Sequence, residues 1–318
     1  MTRIIFMGSP AEVVKPLKFI CEQGASIGLE LVAVVSQPAR PVGRGAKVAD
    51  PPVAEFAKNN RIKCLQPESS KSQEFLEEMR SLRPDVVVTA AYGQILSDEF
   101  LKIPKIATIN IHPSLLPAYR GATPVPAALL DGLTLSGVTI LFTIKQLDAG
   151  NIISQKPFQI SPNETCGELT ERLFAESAPM LLNALERLAQ DPSFKGLPQD
   201  HGKATFCRKI DKDMGAVNWE SDAKSVIDRF RAFQPWPGSF TILGDRRISL
   251  TQMTLDNANA LDETPGSVTF EKASKCIRVS CRTGLVAVHK LKPAGGKEMD
   301  AVSFWNGLKD RSAVVFGA

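Results

Sequence analysis

The sequence lacks any apolar run long enough to span a bilayer, which excludes a helical membrane protein and leaves a soluble chain as the expectation. Histidine is scarce, with only His112, His201 and His289. The six cysteines (Cys21, Cys64, Cys166, Cys207, Cys276 and Cys281) include no Cys-x-x-Cys pair and no ligand spacing with a histidine. The usual structural zinc patterns are therefore excluded, no metal is expected, and the cysteine usage suits a reducing cytoplasm. The apolar start before Gly8-Ser9-Pro10 is too short for a signal-peptide core and reads as a first buried strand. Two glycine fingerprints are missing as well. After the first strand only Gly8 stands where a dinucleotide-binding turn needs three spaced glycines. Gly43-Arg44-Gly45-Ala46-Lys47 is followed by Val48 rather than by the Ser or Thr of a phosphate-binding loop. Nicotinamide chemistry and nucleotide triphosphate hydrolysis lose their support.

What is present is a chain of 318 residues, 43% hydrophobic and 23% charged, long enough for two cores. The net charge of +4 is unevenly placed: residues 1–205 hold 21 basic and 21 acidic side chains, whereas 206–318 hold 17 and 13. A basic C-terminal part suits a polyanionic partner, and suits ordinary solubilising surface equally well. Through the first 190 residues, apolar runs at Ile4 to Met7, Leu31 to Val35, Asp85 to Ala90, Ala107 to Ile111 and Val138 to Ile144 alternate with helix-like spacing. The helical stretches are Ala11 to Gln23, Pro52 to Asn59, Ser72 to Leu82, Pro124 to Asp131 and Cys166 to Gln190. This alternation predicts an α/β domain on a parallel sheet, whose ligands collect at the strands' carboxyl ends. Residues 191–205 turn polar, with Pro and Gly and no periodicity, and read as a linker. Beyond it one helix-like stretch and five short strands with Gly-rich turns, over 206–318, predict a small barrel of the oligonucleotide-binding type.

The segment Thr108-Ile109-Asn110-Ile111-His112-Pro113 places an amide and an imidazole two residues apart, hence on one face of a strand end. Such a pair supplies a donor for a developing oxyanion and a group suited to proton transfer near neutrality. A strand-end pair satisfied by backbone has the same local signature. Pro113 and Pro117 bracket a loop that cannot continue as strand, and rigid loops at strand ends are where sites are built. Asp148, after the strand Val138 to Ile144, is placed to orient the imidazole, or else simply opens an Asx turn. Arg40, Arg44 and Lys47 lie in a glycine-containing stretch with no acidic residue between Glu30 and Asp50. That loop suits RNA phosphates, and it also suits plain solvation. Trp236, between Pro235 and Pro237, reads as a packing wedge more readily than as a platform for a base.

Asn110-x-His112, Ser114-Leu115-Leu116-Pro117, Tyr119-Arg120-Gly121, Gly137-Val138-Thr139 and Asp148-x-Gly150 together closely resemble the folate-dependent formyltransferase family. Four further segments resemble the branch acting on methionyl-initiator tRNA: Gln37 to Gly45, Ala91 to Leu96, Arg231 to Pro237 and Lys292 to Lys297. The resemblance covers residues 3 to 311. It implies a Rossmann-like formyltransferase domain at 1–190 and an OB-like tRNA-binding domain at 206–318, in a cytoplasmic monomer. The implied reaction carries the formyl group of 10-formyltetrahydrofolate to the free amine of methionyl-initiator tRNA, supporting translation initiation. By the same resemblance Asn110, His112 and Asp148 are catalytic, Ser114, Leu115, Leu116 and Pro117 contact folate, and Arg40, Arg44 and Lys47 contact the tRNA acceptor stem. Two stretches depart from the family pattern: Ala11-Glu12-Val13 and Asp148-Ala149-Gly150-Asn151.

Overall fold

In the computed structural model, which describes residues 1–42, 47–256, 258 and 264–317, the chain divides into two compact units. The first comprises Met1–Pro124, Leu135–Gln159 and Thr170–Cys207; the second comprises Val125–Thr134, Ile160–Leu169 and Arg208–Ala318. Among the described residues no helix is long and apolar enough to cross a membrane.

The strands of the first unit are, in chain order, β1 (Thr2–Gly8), β2 (Leu29–Val35), β3 (Arg40–Val42), β4 (Lys47–Ala49), β5 (Cys64–Leu65), β6 (Val86–Ala90), β7 (Ala107–His112), β8 (Leu135–Phe142) and β9 (Ile152–Gln159). Seven of them form one sheet in the order β5-β2-β1-β6-β7-β8-β9, and β3 and β4 pair as a separate antiparallel hairpin. In β1 the consecutive side chains Ile4, Ile5, Phe6 and Met7 are all fully buried. Alternate residues of a strand face opposite ways, so this burial requires cover on both faces, as the unbroken apolar run implies. From β5 to β7 every pairing is parallel. The order reverses at β1 and β6, the switch point outside which such sheets open a crevice.

One strand departs from the expected parallel sheet. β8 runs antiparallel to β7, and β9 antiparallel to β8. A central strand buried on both faces shows the same apolar pattern in either direction, so periodicity could not orient β8. The register has a consequence for the site: Phe142 at the end of β8 lies opposite Ile109, whereas His112 lies opposite Thr139. β8 thus runs away from the carboxyl end of β7, and its last residue lies level with Ile109.

The helices are α1 (Val14–Gln23), α2 (Pro52–Asn59), α3 (Gln73–Ser81), α4 (Asp98–Leu101), α5 (Pro124–Leu130), α6 (Cys166–Gln190), α7 (Ala223–Ala232) and α8 (Ala301–Asn306). Their starts follow local chemistry: Ser97, Asp222 and Asp300 each accept a backbone N–H from the first turn, and α2 opens on Pro52. Residues 191–207, expected to be largely linker, are held within the first unit. Leu197 exchanges two backbone hydrogen bonds with Ile152, Arg120 N–H donates to Thr205 O, and Cys207 N–H donates to Arg120 O. Backbone bonds made to loops impose no period on side chains, which is why the stretch looks structureless in sequence.

The second unit is built on an antiparallel sheet of β10 (Ser239–Leu243), β11 (Arg246–Asp256), β12 (Val268–Glu271), β13 (Cys276–Ser280), β14 (Leu285–Pro293) and β15 (Met299–Asp300). Its order is β10-β11-β14-β13-β12, with β15 paired to β14. The C-terminal tail bonds both outer strands. Val268 N–H donates to Val314 O, and Gly317 exchanges hydrogen bonds with Ile242. Between these bonds Phe316, 2% exposed, packs with Trp219 and Phe304 in a core that includes Ile248, Val288 and Leu291. Phe316→Ala is expected to destabilise this unit by about 3–5 kcal/mol, the usual cost of emptying a buried aromatic site. Calorimetry reads it as a lower melting midpoint, and an unchanged midpoint would remove the tail from that core.

Candidate active site

Asn110 and His112 occupy the carboxyl end of β7, with Asn110 paired in register with Thr89 of β6. The Thr89 hydroxyl reaches Asn110 Oδ1 at 2.9 Å and Ile109 O at 3.1 Å. With its oxygen facing Thr89, the Asn110 amide turns Nδ2 the other way, where it makes no hydrogen bond among the described residues. The His112 ring is 3% exposed, and its Nε2 lies 2.9 Å from Tyr119 O. A carbonyl oxygen only accepts, so Nε2 carries a proton and donates. Nδ1 is the ring nitrogen left for chemistry. It faces Asp148 Oδ2 at 3.7 Å, beyond direct hydrogen-bond range.

Asp148 does not arrive on the carboxyl end of a parallel strand, as sequence reading implied. The chain leaves β8 level with Ile109 and folds back over residues 143–151. Gly150 makes the return possible, because a Cβ there would stand 1.9 Å from Phe142 O. Asp148 itself adopts φ 47°, in the left-handed region that an aspartate tolerates better than most side chains. Its Oδ2 accepts Gly121 N–H at 2.8 Å, tying it to the loop that carries Tyr119.

The loop after His112 is held by its own polar groups. Ser114 Oγ donates to Ala118 O at 2.8 Å, and Thr139 Oγ1 donates to Ser114 O at 2.7 Å. The same Thr139 oxygen accepts Leu116 N–H at 3.2 Å and Gln155 Nε2 at 2.8 Å. Gly137 leaves room for Leu115 against β8, since a Cβ there would meet Leu115 Cδ2 at 2.3 Å. Ser114 and Leu116 are buried parts of this scaffold, while Leu115 and Pro117 are half-buried and face outward more.

Arg40 and Lys47 are exposed on the β3–β4 hairpin, Arg40 within 3.4 Å of the exposed Glu68 carboxylate, and Arg44 lies outside the described residues. A pair so exposed contributes at most a few tenths of a kcal/mol to about 1 kcal/mol, leaving Arg40 free to exchange partners. Trp236 is 58% exposed, which corrects its reading as a packing wedge. The chain buries Phe233 instead, three residues earlier at the end of α7.

Arg120 and Thr139 stand in the family motifs without an assigned task, His201 counts only among the histidines that form no metal spacing, and Thr89, Gln155 and Gln199 carry no signal in the sequence. The last three sit on ordinary strands or in the stretch read as linker.

Residues 2–185 match the formyl transferase family model, and residues 209–309 match the model of the formyl transferase C-terminal domain. The chain belongs to the formyl transferase family. Curated relatives in the family include a methionyl-tRNA formyltransferase of Acetivibrio thermocellus, 35% identical over 315 residues and covering 99% of each chain. The methionyl-tRNA formyltransferase of Listeria innocua is 38% identical over 307 residues, 96% of each chain. Among solved structures, HypX from Aquifex aeolicus in complex with tetrahydrofolic acid superposes with a TM-score of 0.64 at 16% identity. That likeness shows a shared fold; it covers 98% of this chain, which spans half the length of HypX. Family membership agrees with the α/β unit followed by an antiparallel-sheet unit described above.

Proposed function

We propose that this formyl transferase moves the formyl group of 10-formyltetrahydrofolate onto the free amine of methionyl-initiator tRNA, supporting translation initiation in the cytoplasm. The observation that carries the reading is the juxtaposition at one strand end of an unpartnered amide donor, a ring nitrogen of fixed role and a carboxylate. The folate supplies the formyl carbon joined to N10, an acyl donor. On the protein side, Asn110 Nδ2 and protonated His112 Nδ1 are the donors for negative charge developing on the formyl oxygen. Asp148 stabilises the imidazolium, takes the proton that the attacking amine must lose, and returns it to the departing nitrogen. One C–N bond forms, one breaks, and the proton passes from acceptor to leaving group, so the exchange balances without a metal.

The unfilled Asn110 donor fits an acyl oxygen, and Ser114, Leu115, Leu116 and Pro117 are assigned to folate: Leu115 and Pro117 as the contacting surface, Ser114 and Leu116 as its support. Arg40, Arg44 and Lys47 are assigned to the acceptor stem. The domain plan is catalysis in the first unit, which takes in 191–205, and an OB-like barrel built from 206–318 that holds tRNA through its phosphates, in a monomer. The full-length similarity to methionyl-tRNA formyltransferases supports this acceptor. Purified protein given 10-formyltetrahydrofolate and charged initiator tRNA is expected to yield formylmethionyl-tRNA. Formylation of a sugar-nucleotide amine with none of the tRNA would overturn the assignment.

A further inference from the structure

A buried arginine behind Asp148 has no task in the reaction as proposed. Arg120 is 1% exposed, and its Nε and Nη2 donate to Gln199 Oε1 at 3.2 and 2.7 Å. Nη2 also donates to His201 Nδ1 at 2.9 Å. A guanidinium has donors only, so the amide of Gln199 must turn its oxygen toward Arg120 and its nitrogen away. Both N–H bonds of that nitrogen are then committed: Gln199 Nε2 lies 2.8 Å from Asp148 O and 2.7 Å from Gly150 O. The amide therefore clamps the two carbonyls on either side of Ala149, in the segment where Asp148 sits at positive φ. The following residues strap the loop that receives the His112 proton. Thr205 Oγ1 accepts Tyr119 N–H at 2.8 Å, and the Cys207 thiol lies 3.1 Å from Arg120 O.

We infer that Gln199 is a positioning residue for the Asp148–His112 pair, oriented by Arg120, and that the stretch Gln199 to Cys207 belongs to the catalytic device rather than to a connection between domains. Asp148 stops 3.7 Å from His112 Nδ1, so its effect on the ring depends on where its backbone is held. The Gly121 bond ties the Asp148 carboxylate to the neighbouring loop and leaves its carbonyl to be held from elsewhere. The Gln199 amide holds that carbonyl, and the amide's orientation has no freedom while Arg120 is behind it. The catalytic consequence rests on the proposed formyl transfer, whereas the clamp itself does not.

Gln199→Glu separates the two. It keeps an oxygen for Arg120, so the buried cation stays satisfied, and it replaces the two N–H donors with an oxygen facing two carbonyls. The variant is expected to fold with a lowered melting temperature, since two carbonyls lose their buried donors, to lose about 100-fold in kcat in its folded fraction, and to keep KM for both substrates, since a displacement of about 1 Å at a reacting group has an effect of that size. A purely structural role would move the melting temperature and leave kcat of the folded fraction unchanged. Independently of turnover, histidine-labelled protein is expected to show His112 protonated on Nε2, with the Nδ1 resonance shifting in the variant. In the wild type the Gln199 side-chain amide protons are expected to exchange slowly with solvent, which needs no variant at all. Unchanged kcat and Nδ1 resonance in a folded variant, or fast exchange of those amide protons, would overturn the inference. Wild-type protein that formylates no methionyl-tRNA would instead sink the proposed function, and the resonance and exchange measurements would still decide the clamp.

Discussion

Asp148→Asn is expected to lower kcat for formyl transfer on the order of 10³-fold, the range of a lost acid–base partner, with little change in melting temperature. The asymmetry follows from what Asp148 Oδ2 does. It accepts Gly121 N–H at 2.8 Å, a structural bond that an asparagine oxygen reproduces, and it faces His112 Nδ1 at 3.7 Å, where an asparagine brings no charge. The Gln199 clamp grips backbone carbonyls, which the substitution leaves in place. Stability and geometry are thereby retained while the protonated His112 ring loses its counter-charge and the amine loses its proton acceptor. Single-turnover kinetics with saturating folate isolates this step. A variant within a few-fold of wild-type kcat would mean that the carboxylate neither stabilises the ring nor handles the proton, and a variant that fails to fold would mean that the Gly121 bond requires a charged acceptor.

Asn110→Ala is expected to cost on the order of 10²- to 10³-fold in kcat, the scale of removing one oxyanion donor. Its effect on stability is expected to be small, because Thr89 retains Ile109 O as partner for its hydroxyl and no buried group is orphaned. The measurement that separates binding from chemistry is the pair kcat and KM for 10-formyltetrahydrofolate. If Asn110 meets the formyl oxygen only as charge builds there, kcat falls and KM holds. A rise in KM with constant kcat would reassign Asn110 to ground-state folate binding.

The amide and imidazole of the proposed site were legible because their signal is local. Asn110 and His112 are two apart on an apolar strand that ends in proline, so their shared face follows from the period of a strand alone. The linking of these residues to a formyl donor came from resemblance across separated segments, since spacing by itself leaves an amide and an imidazole without a substrate. The helices Pro52–Asn59 and Cys166–Gln190 were legible to the residue, the first opened by proline and the second long enough for its pattern to dominate. Less could be read where position depends on chain direction. Val138 to Ile144 showed a strand without showing which way it ran, and with that direction went the route by which Asp148 reaches His112. Trp236 looked like a wedge because large aromatics are usually buried, yet it is 58% exposed while Phe233 is fully buried.

By itself, then, the sequence determined the amide and imidazole of β7 and the rigid Ser114–Pro117 loop, because residue type, strand period and proline placement are local properties, while Asp148 was singled out by family resemblance. Only the tertiary structure decided how they act together. It put the proton of His112 on Nε2 by setting Tyr119 O against it, and among the described residues it left Asn110 Nδ2 without a partner. It also brought Arg120 and Gln199, 79 positions apart, into one buried contact behind Asp148. Such contacts join segments distant in the chain, and a hydrogen bond between them leaves no periodicity in either.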